Sequence, residues 1–154
     1  MSLYEVQLQS YLVAGRALRS AWPPERALDG PALDAFLDEM RYCVLATTTG
    51  QGRPQARPVA FIAFAEALWF GTGPGGRLRN VQREPWVSVV ISDRDGDAHR
   101  AVVADGPVLV CEAPPVGLLE SWELRFESRP DWATRWLELR PERLFSYAAP
   151  RADA

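Results

Sequence analysis

The most informative stretch of this sequence runs from Phe70 to Val81 and reads F-G-T-G-P-G-G-R-L-R-N-V. A short apolar run precedes it, and a helix-compatible segment ends it. A strand that passes through glycines into a helix lets backbone N–H groups converge on an anion, which the helix dipole also favours. Arg77 and Arg79 add donors that bind phosphate strongly. The stretch therefore predicts a phosphate-bearing ligand, with a mobile surface loop as the plainer alternative.

Two familiar phosphate motifs do not account for the stretch. The pattern G-x-G-x-x-G can be placed on Gly71, Gly73 and Gly76, but no βαβ unit with a suitably spaced acidic residue follows. The G-K-[ST] ending of a Walker A loop is absent from the sequence. The stretch alone therefore indicates an anion without naming the ligand.

The composition bounds the class of protein. The chain has 154 residues, of which 47% are apolar and 24% charged, as in an ordinary globular domain. Its formal net charge of −3 argues against nucleic acid as the main partner. All 17 basic residues are arginine, so an anion site must use arginine, backbone or helix termini. We predict a single domain over residues 1–154, with helices in 1–40, a barrel in 41–147 and a frayed tail in 148–154.

The cysteines and the histidine do not indicate a metal site. Cys43 and Cys111 lie in apolar, strand-like runs and are not spaced as a metal or redox motif, which predicts buried, reduced thiols. His99 is the only histidine, and a surface position is the plainer alternative to a role as haem ligand or proton donor.

No signal peptide or membrane-length apolar run is visible in the sequence. We therefore expect a cytoplasmic protein with no metal and no membrane partner.

The amino-terminal forty residues read as helical. A long amphipathic helix is expected over Leu3–Trp22, ended by two prolines, with Leu8, Leu12, Ala14 and Leu18 as its apolar positions. A second helix is expected over Pro31–Met40, where Pro31 occupies a favourable first position.

From residue 42 the periodicity changes to that of strands. Pro114 to Leu139 is expected to be helical, with Trp132 and Trp136 on a second short helix, and Arg77–Arg83 forms another helix. Asp105-Gly106-Pro107 is expected to bend or bulge its strand. The predicted architecture is a mainly β, antiparallel barrel with helical additions. Its six strands are expected at 42–48, 54–64, 67–72, 86–92, 99–111 and 143–147.

Four pieces of the chain, in this order, resemble the pyridoxamine 5′-phosphate oxidase-like family, the FMN-binding split barrels. The resemblance covers roughly Leu37 to Tyr147. The pieces are Y-C-V-L-A-T-T followed by a G-R-P turn, the strand Q-A-R-P-V-A-F, the L-W-F-G-T-G segment with its G-G-R, Asn80 and P-W-V-S-V continuation, and L-R-P-E-R-L-F near the end.

The resemblance implies a homodimer with two flavin sites in the groove between subunits, acting on a small-molecule substrate. It implies that Gly76 and Arg77 hold the phosphate of FMN at the start of a helix. The other implied cofactor-binding positions are Arg57, Pro58, Val59, Ala60, Thr72 and Gly73.

Three of these residues can also be interpreted from their chemistry. Arg57 lies in an otherwise apolar strand, where a buried guanidinium needs a carboxylate, a phosphate or an interface, and a salt bridge at the barrel rim is the plainer alternative. Thr72 could donate its hydroxyl to a phosphate or cap the following helix. Arg77 at a helix start is unfavourable unless an anion is present, whereas Arg79 is expected to be solvated.

The chain also departs from the family pattern. Gly76 and Leu78 stand where the family has serine and lysine phosphate donors, and Ala101 and Ile62 replace a glutamine near the flavin and a lysine for substrate phosphate. We therefore predict an FMN-binding, flavin-dependent oxidoreductase that is not a true pyridoxamine phosphate oxidase, and no catalytic residue is assigned. The alternatives are a deazaflavin-dependent reductase, a non-catalytic flavin- or haem-binding sensor, and a dimeric barrel without cofactor.

Overall fold

The described residues fold into an antiparallel sheet with five α-helices around it. The computed structural model describes residues 1–95 and 98–149. The helices are α1 (Leu3–Val13), α2 (Arg16–Ala21), α3 (Gly30–Glu39), α4 (Gly76–Arg83) and α5 (Leu118–Phe126), with a 3₁₀ turn at Pro24–Arg26. The strands are β1 (Tyr42–Thr48), β2 (Pro54–Ala60), β3 (Ile62–Phe64), β4 (Ala67–Thr72), β5 (Trp86–Asp95), β6 (Ala98–Cys111), β7 (Arg135–Leu139) and β8 (Arg143–Ala149).

The long strand β6 joins two parts of the sheet. Its first part pairs with β5 on one side and with β8 on the other, and its end, from Val108 to Cys111, pairs with β7. The order of strands is β2-β1-β5-β6-β7-β4-β3, and β8 lies off this path. The predicted mainly β, antiparallel split barrel with helical additions is confirmed.

The described residues form eight strands rather than the six predicted. The expected strand over 54–64 divides at Phe61 into β2, which pairs with β1, and β3, which pairs with β4. The predicted helix through Trp136 is wrong, because residues 135–139 form β7 between β4 and β6. A strand with partners on both sides has its backbone donors and acceptors satisfied, which local helix propensity cannot outweigh.

The expected interruption at Asp105–Pro107 is the point at which β6 changes neighbours. The strand continues through it, pairing with β5 as far as Pro107 and with β8 as far as Asp105. Gly106 is needed because a Cβ there would lie 2.8 Å from the backbone nitrogen of Glu142. The glycine therefore permits close approach of two backbones at the corner of the barrel.

The amino-terminal helix differs from its prediction in extent and in its buried face. It ends at Val13, and a separate α2 follows Gly15. Leu8 and Leu12 are exposed, whereas the buried positions are Leu3, Val6, Gln7, Ser10 and Tyr11. Two polar residues can face the core because Gln7 Nε2 donates to the Leu28 carbonyl at 2.7 Å and Ser10 Oγ accepts from the Leu144 N–H at 3.0 Å.

Two apolar clusters hold the elements together. The larger fills the barrel and joins Phe36 of α3 to Phe70 and Leu137 of the sheet. The smaller packs α5 against the sheet through Trp69, Trp122 and Trp136. In the part of the chain that the structure describes, no helix has the length and apolar character needed to span a membrane.

The chain end and the β5–β6 connection are only partly described. Ala148 and Ala149 belong to β8, so this part of the predicted frayed tail is strand. Residues 150–154 of the predicted tail, and Gly96 and Asp97, lie outside the described residues.

Candidate functional site

A cleft of about 540 Å³ lies between the β1–β2 hairpin and the connection from β4 to α4. Six of the eight predicted cofactor-binding residues line it, and Val59 and Ala60 do not. The cleft also takes in five residues that the sequence did not single out as ligands. The full lining is Leu45, Thr47, Gln55, Arg57, Pro58, Thr72, Gly73, Pro74, Gly75, Gly76 and Arg77.

The start of α4 forms one wall of the cleft and carries unsatisfied donors. The strand β4 is buried along its whole length, so its exit at Thr72 is held firmly in place. Gly75 is the N-cap residue with φ 154°, a backbone conformation that favours glycine, and no side chain caps the helix. The first helical hydrogen bond is from Arg79 N–H to the Gly75 carbonyl, 3.1 Å. The preceding amides of the first turn therefore have no helical acceptor and are available to an anion.

Thr72 does not cap this helix. Its hydroxyl donates to the Gly73 carbonyl at 3.2 Å, a local bond within the connection. The Thr72 carbonyl accepts from the Thr134 N–H at 3.0 Å, which fixes the strand end against the segment leading to β7. The capping alternative for Thr72 is thus excluded by the geometry, and its hydroxyl lies at the edge of the cleft.

Arg77 places a half-buried guanidinium in the cleft. Within the described part of the chain it makes no hydrogen bond or ion pair. Burial lowers the pKa of Arg77 below its ordinary value, and the nearby positive charge of Arg57 lowers it further. A partly desolvated cation beside a like charge is unfavourable unless a counter-charge is supplied.

Arg57 faces the same cleft from the edge strand β2. It is exposed, contrary to the expectation of a buried arginine, and its Nη1 donates to the neighbouring Ala56 carbonyl at 2.8 Å. No carboxylate pairs with it among the described residues, so the alternative of a salt bridge at the barrel rim is not formed. The exposure follows from the position of β2, which is the outermost strand on this side of the sheet.

A buried polar cluster forms the floor between α4 and the hairpin. Asn80 is only 5% exposed, and its Nδ2 donates to Thr47 Oγ1 at 3.0 Å and to Gln55 Oε1 at 3.1 Å. Thr47 and Gln55 are direct partners in the β1–β2 register and both line the cleft. Thr47 and Gln55 were not predicted as site residues. The available signal was Asn80, a residue with poor helix propensity in the middle of α4.

The structure does not bring Val59 and Ala60 to the cleft. Val59 is buried in the main core, where it pairs with Cys43 across the β1–β2 ladder. Ala60 pairs with the exposed Tyr42, so Ala60 lies on the opposite face of the sheet from Val59. Their predicted roles toward a flavin stay predictions.

That opposite face is apolar and exposed. Val44 is 42% exposed and Val90 is 43% exposed, and the two are direct partners between β1 and β5. Pro58 of β2, which also lines the cleft, is the partner of Val44 on the strand opposite to β5. Tyr42 and Trp86 extend the same face, at 62% and 40% exposure. We call these five residues the apolar sheet face; a patch of this kind marks an interaction surface.

The cysteines and the histidine lie outside the cleft lining. Cys43 and Cys111 are free thiols, the first buried and the second half-buried. Burial raises the pKa of Cys43 to about 12, so it is a neutral thiol rather than a nucleophile or metal ligand. His99 is exposed, with its ring 6.0 Å from that of Tyr147. The described residues contain no group of three His, Cys, Asp or Glu side chains arranged to hold a metal ion.

Several solved structures share this fold. A conserved hypothetical protein, Rv2991, from Mycobacterium tuberculosis is 20% identical, with 82% of this chain and 88% of that chain covered and a TM-score of 0.71. HutZ, a heme storage protein from Vibrio cholerae, is 21% identical over 76% of this chain and 93% of its own, with a TM-score of 0.63. An FAD-binding protein from Mesorhizobium loti is 20% identical over 81% and 98%, with a TM-score of 0.62. Identities this low establish the shared fold alone.

No curated protein sequence matches the chain. A family profile described as Pyridoxamine 5′-phosphate oxidase, however, matches residues 30–148, from the first residue of α3 to the penultimate residue of β8. The match takes in every strand and the whole cleft. The resemblance inferred from the sequence is confirmed. The chain belongs to the pyridoxamine 5′-phosphate oxidase family of split barrels.

Proposed function

We propose that the chain binds FMN in this cleft and acts as a cytoplasmic, flavin-dependent oxidoreductase on a small molecule. One observation carries the proposal. The guanidinium groups of Arg57 and Arg77 face the uncapped start of α4 with no carboxylate to pair them among the described residues. A phosphate would neutralise both charges and accept from the free amides of the first turn.

The cleft fits the phosphate end of a flavin in size and chemistry. Its volume of about 540 Å³ lies within the range of small-molecule sites. Thr47, Gln55 and Thr72 offer side-chain polar groups, and Leu45 and Pro58 offer apolar surface. FMN, when bound, would supply the hydride chemistry. The residues of the chain would hold its phosphate and orient it, and none of them is assigned a proton-transfer role.

Two buried positions support the view that this is not a true pyridoxamine phosphate oxidase. Ile62, which replaces a lysine of the family pattern, is 5% exposed and packs in the cluster beneath α5. Ala101, which replaces a glutamine, is 4% exposed. Apolar side chains at these places cannot bind a substrate phosphate or hydrogen-bond a flavin ring, so we infer a different substrate.

We further propose that the protein is a homodimer joined through the apolar sheet face. The face adjoins the cleft at Pro58, so a second subunit seated on it would complete one side of the cofactor site. Replacing Val44 and Val90 together by glutamate would place two carboxylates in such an interface, where they would be desolvated without partners. The variant should run as a monomer in light scattering. A dimer of unchanged mass would contradict this choice of interface.

Among the alternatives, the cleft favours phosphate-bearing cofactors over haem. FMN and a deazaflavin coenzyme both carry phosphate, and the cleft does not separate them. Haem iron takes an axial ligand from His, Cys, Met or Tyr. None of these residue types is among the described residues that line the cleft.

The test is direct addition of each cofactor to the purified protein. We expect FMN to raise the melting temperature of the wild type and to show a bound-flavin absorbance spectrum. Arg57→Ala and Arg77→Ala should each weaken FMN binding about 10- to 100-fold, the effect of one charged hydrogen bond or more. Arg16→Ala, an exposed change on α2, is the matched control. The proposal fails if neither cleft variant changes the affinity, or if FMN, deazaflavin and haem all leave the melting temperature unchanged.

A further inference from the structure

Asn80 gives both hydrogens of its side-chain amide to the β1–β2 hairpin. Its Nδ2 donates to Thr47 Oγ1 at 3.0 Å and to Gln55 Oε1 at 3.1 Å. The two acceptors are direct partners in the β1–β2 ladder, and both line the cleft. Asn80 itself is buried behind them and is not among the lining residues. One side chain of α4 therefore holds two residues of the cleft at once.

These two bonds determine which polar atoms the hairpin presents to a ligand. A hydroxyl that accepts from Asn80 keeps its own hydrogen to donate, and a carboxamide that accepts through its oxygen keeps its NH₂ group. In the described part of the chain, neither Thr47 nor Gln55 donates a side-chain hydrogen bond. Thr47 is only 5% exposed and lines the cleft, so an acceptor for its hydroxyl has to come from there. A buried donor without an acceptor is unfavourable.

The donor pair of Thr47 and Gln55 is separate from the guanidinium groups of the cleft. Arg57 lies two residues from Gln55 on β2, farther from the hairpin turn. Two residues of a strand span roughly 6–7 Å. The donor pair therefore contacts a different oxygen of the ligand from the one that Arg57 contacts.

We infer that Asn80 is a positioning residue for ligand binding, which fixes Thr47 and Gln55 as hydrogen-bond donors to a ligand oxygen that carries no hydrogen. The inference rests on the proposed function, because it requires the cleft to be a binding site. Phosphate and ring carbonyl oxygens are acceptors of this kind, and FMN has both. A ligand group that can only donate would leave buried donors unpaired, so the donor pair selects against it.

A double-mutant cycle separates this role from simple support of the fold. Asn80→Leu removes the amide at similar volume, and the paired change Thr47→Val with Gln55→Met removes the donors that the amide orients. FMN affinity is measured by calorimetric titration. Asn80→Leu should lose about 3- to 10-fold of FMN affinity in the wild type, and the paired change about 10- to 100-fold, as expected for one and two hydrogen bonds. Added to the paired change, Asn80→Leu should cause no further loss.

Val81→Ala is the matched control for loss of stability. Val81 follows Asn80 on α4 and is fully buried in the main core. Its truncation should lower the melting temperature but leave the FMN affinity at the wild-type value. A loss of affinity in Val81→Ala, or an equal loss from Asn80→Leu with and without the paired change, would mean that Asn80 only supports α4. Either result would overturn the inference.

Gln55→Met alone provides a test that does not depend on a buried substitution. Gln55 is half-buried, and its loss should weaken FMN about 3- to 10-fold. Wild-type affinity in this variant would also overturn the inference. Riboflavin, which lacks the phosphate, then locates the acceptor. Weaker binding of FMN alone places the donor pair at the phosphate, and equal weakening of both ligands places it at the rest of the flavin; both results support the inference.

Inorganic phosphate distinguishes failure of the inference from failure of the proposed function. If Arg77→Ala loses FMN affinity and the cycle shows no coupling, the inference is wrong and the proposed function stands. If phosphate stabilises the wild type but FMN does not, the cycle is repeated with phosphate. Coupling then means that the inference stands and the FMN proposal fails, and additive losses mean that both fail. If phosphate, FMN and riboflavin all fail to bind the wild type, both are wrong.

Discussion

Arg125 joins α5 to the end of α3, and its removal should destabilise the fold by a predictable amount. Its Nη2 donates to the Leu37 carbonyl at 2.7 Å, and its Nη1 donates to the Asp38 carbonyl. Both carbonyls belong to the last turn of α3, where no helical N–H remains to pair them. The guanidinium carbon also lies 5.6 Å from the ring centroid of Phe61. Arg125→Ala removes all of these contacts at once.

The size of the effect follows from opposing contributions. Two hydrogen bonds from a charged donor contribute roughly 3 kcal/mol at the lower end of their range. Against this, Nε of Arg125 is buried without a partner among the described residues, and burial lowers the pKa of the guanidinium. Relief of that buried donor returns about 1 kcal/mol. The net loss should be about 2 kcal/mol, or about 4–8 °C in melting temperature for a chain of this size.

Urea unfolding followed by tryptophan fluorescence measures this loss. Arg125→Lys keeps the charge but not the two-pronged donor, and should lose about half as much. The control is Arg129→Ala, which removes an exposed ion pair with Glu123 at 3.2 Å near the same helix and should change the stability by less than about 0.5 kcal/mol. If Arg125→Ala is as stable as Arg129→Ala, the contacts of Arg125 with the two carbonyls do not stabilise the protein.

Three further predictions concern the barrel and the cleft floor. Gly106→Ala should destabilise the fold by about 1–3 kcal/mol in urea unfolding, because its Cβ would meet backbone atoms that cannot move aside. The control is Gly15→Ala, whose Cβ would have no atom within 4 Å and which should leave the stability close to that of the wild type. Equal stabilities of the two variants would contradict the steric explanation. Because the folded Cys43 thiol has a pKa of about 12 against an ordinary 9, the unfolded chain releases this proton first. Stability should therefore fall above about pH 9 more steeply in the wild type than in Cys43→Ala, and parallel pH profiles would exclude this linkage. Asn80→Ala should cost about 1–3 kcal/mol by leaving buried Thr47 without its donor, as measured by thermal unfolding.

The strands β1 and β4 could be predicted from short-range sequence patterns alone. Strands β1 and β4 begin and end at the predicted residues, because alternation or continuous apolar character is bounded by turn residues on both sides. The β7 strand was misread as helix, since its strand character depends on pairing with β4 and β6, which lie far away in sequence. The buried face of α1 was missed because Gln7 and Ser10 are buried through bonds to distant backbone groups.

The same distinction applies to the cleft. The glycine-rich turn and Arg77 could be identified from the sequence, because a strand, a turn and a helix N-terminus are contiguous in the chain. Thr47 and Gln55 could not, because they come from the β1–β2 hairpin and contact α4 through hydrogen bonds from Asn80, which is 33 and 25 residues away in the chain. The exposure of Arg57 was misjudged because it depends on β2 being an edge strand.

Residue order and local backbone preference were enough to predict the family, the barrel and the glycine-rich turn from Phe70 to Val81. Which charged side chains lie close together depends on the packing of distant strands and helices. The fold brings Arg57 and Arg77 to one cleft at the start of α4, and no carboxylate is among the described residues that line it. Electrostatic energy depends on distance in space rather than along the chain, so the need for an anion became visible only once strand register had positioned these side chains.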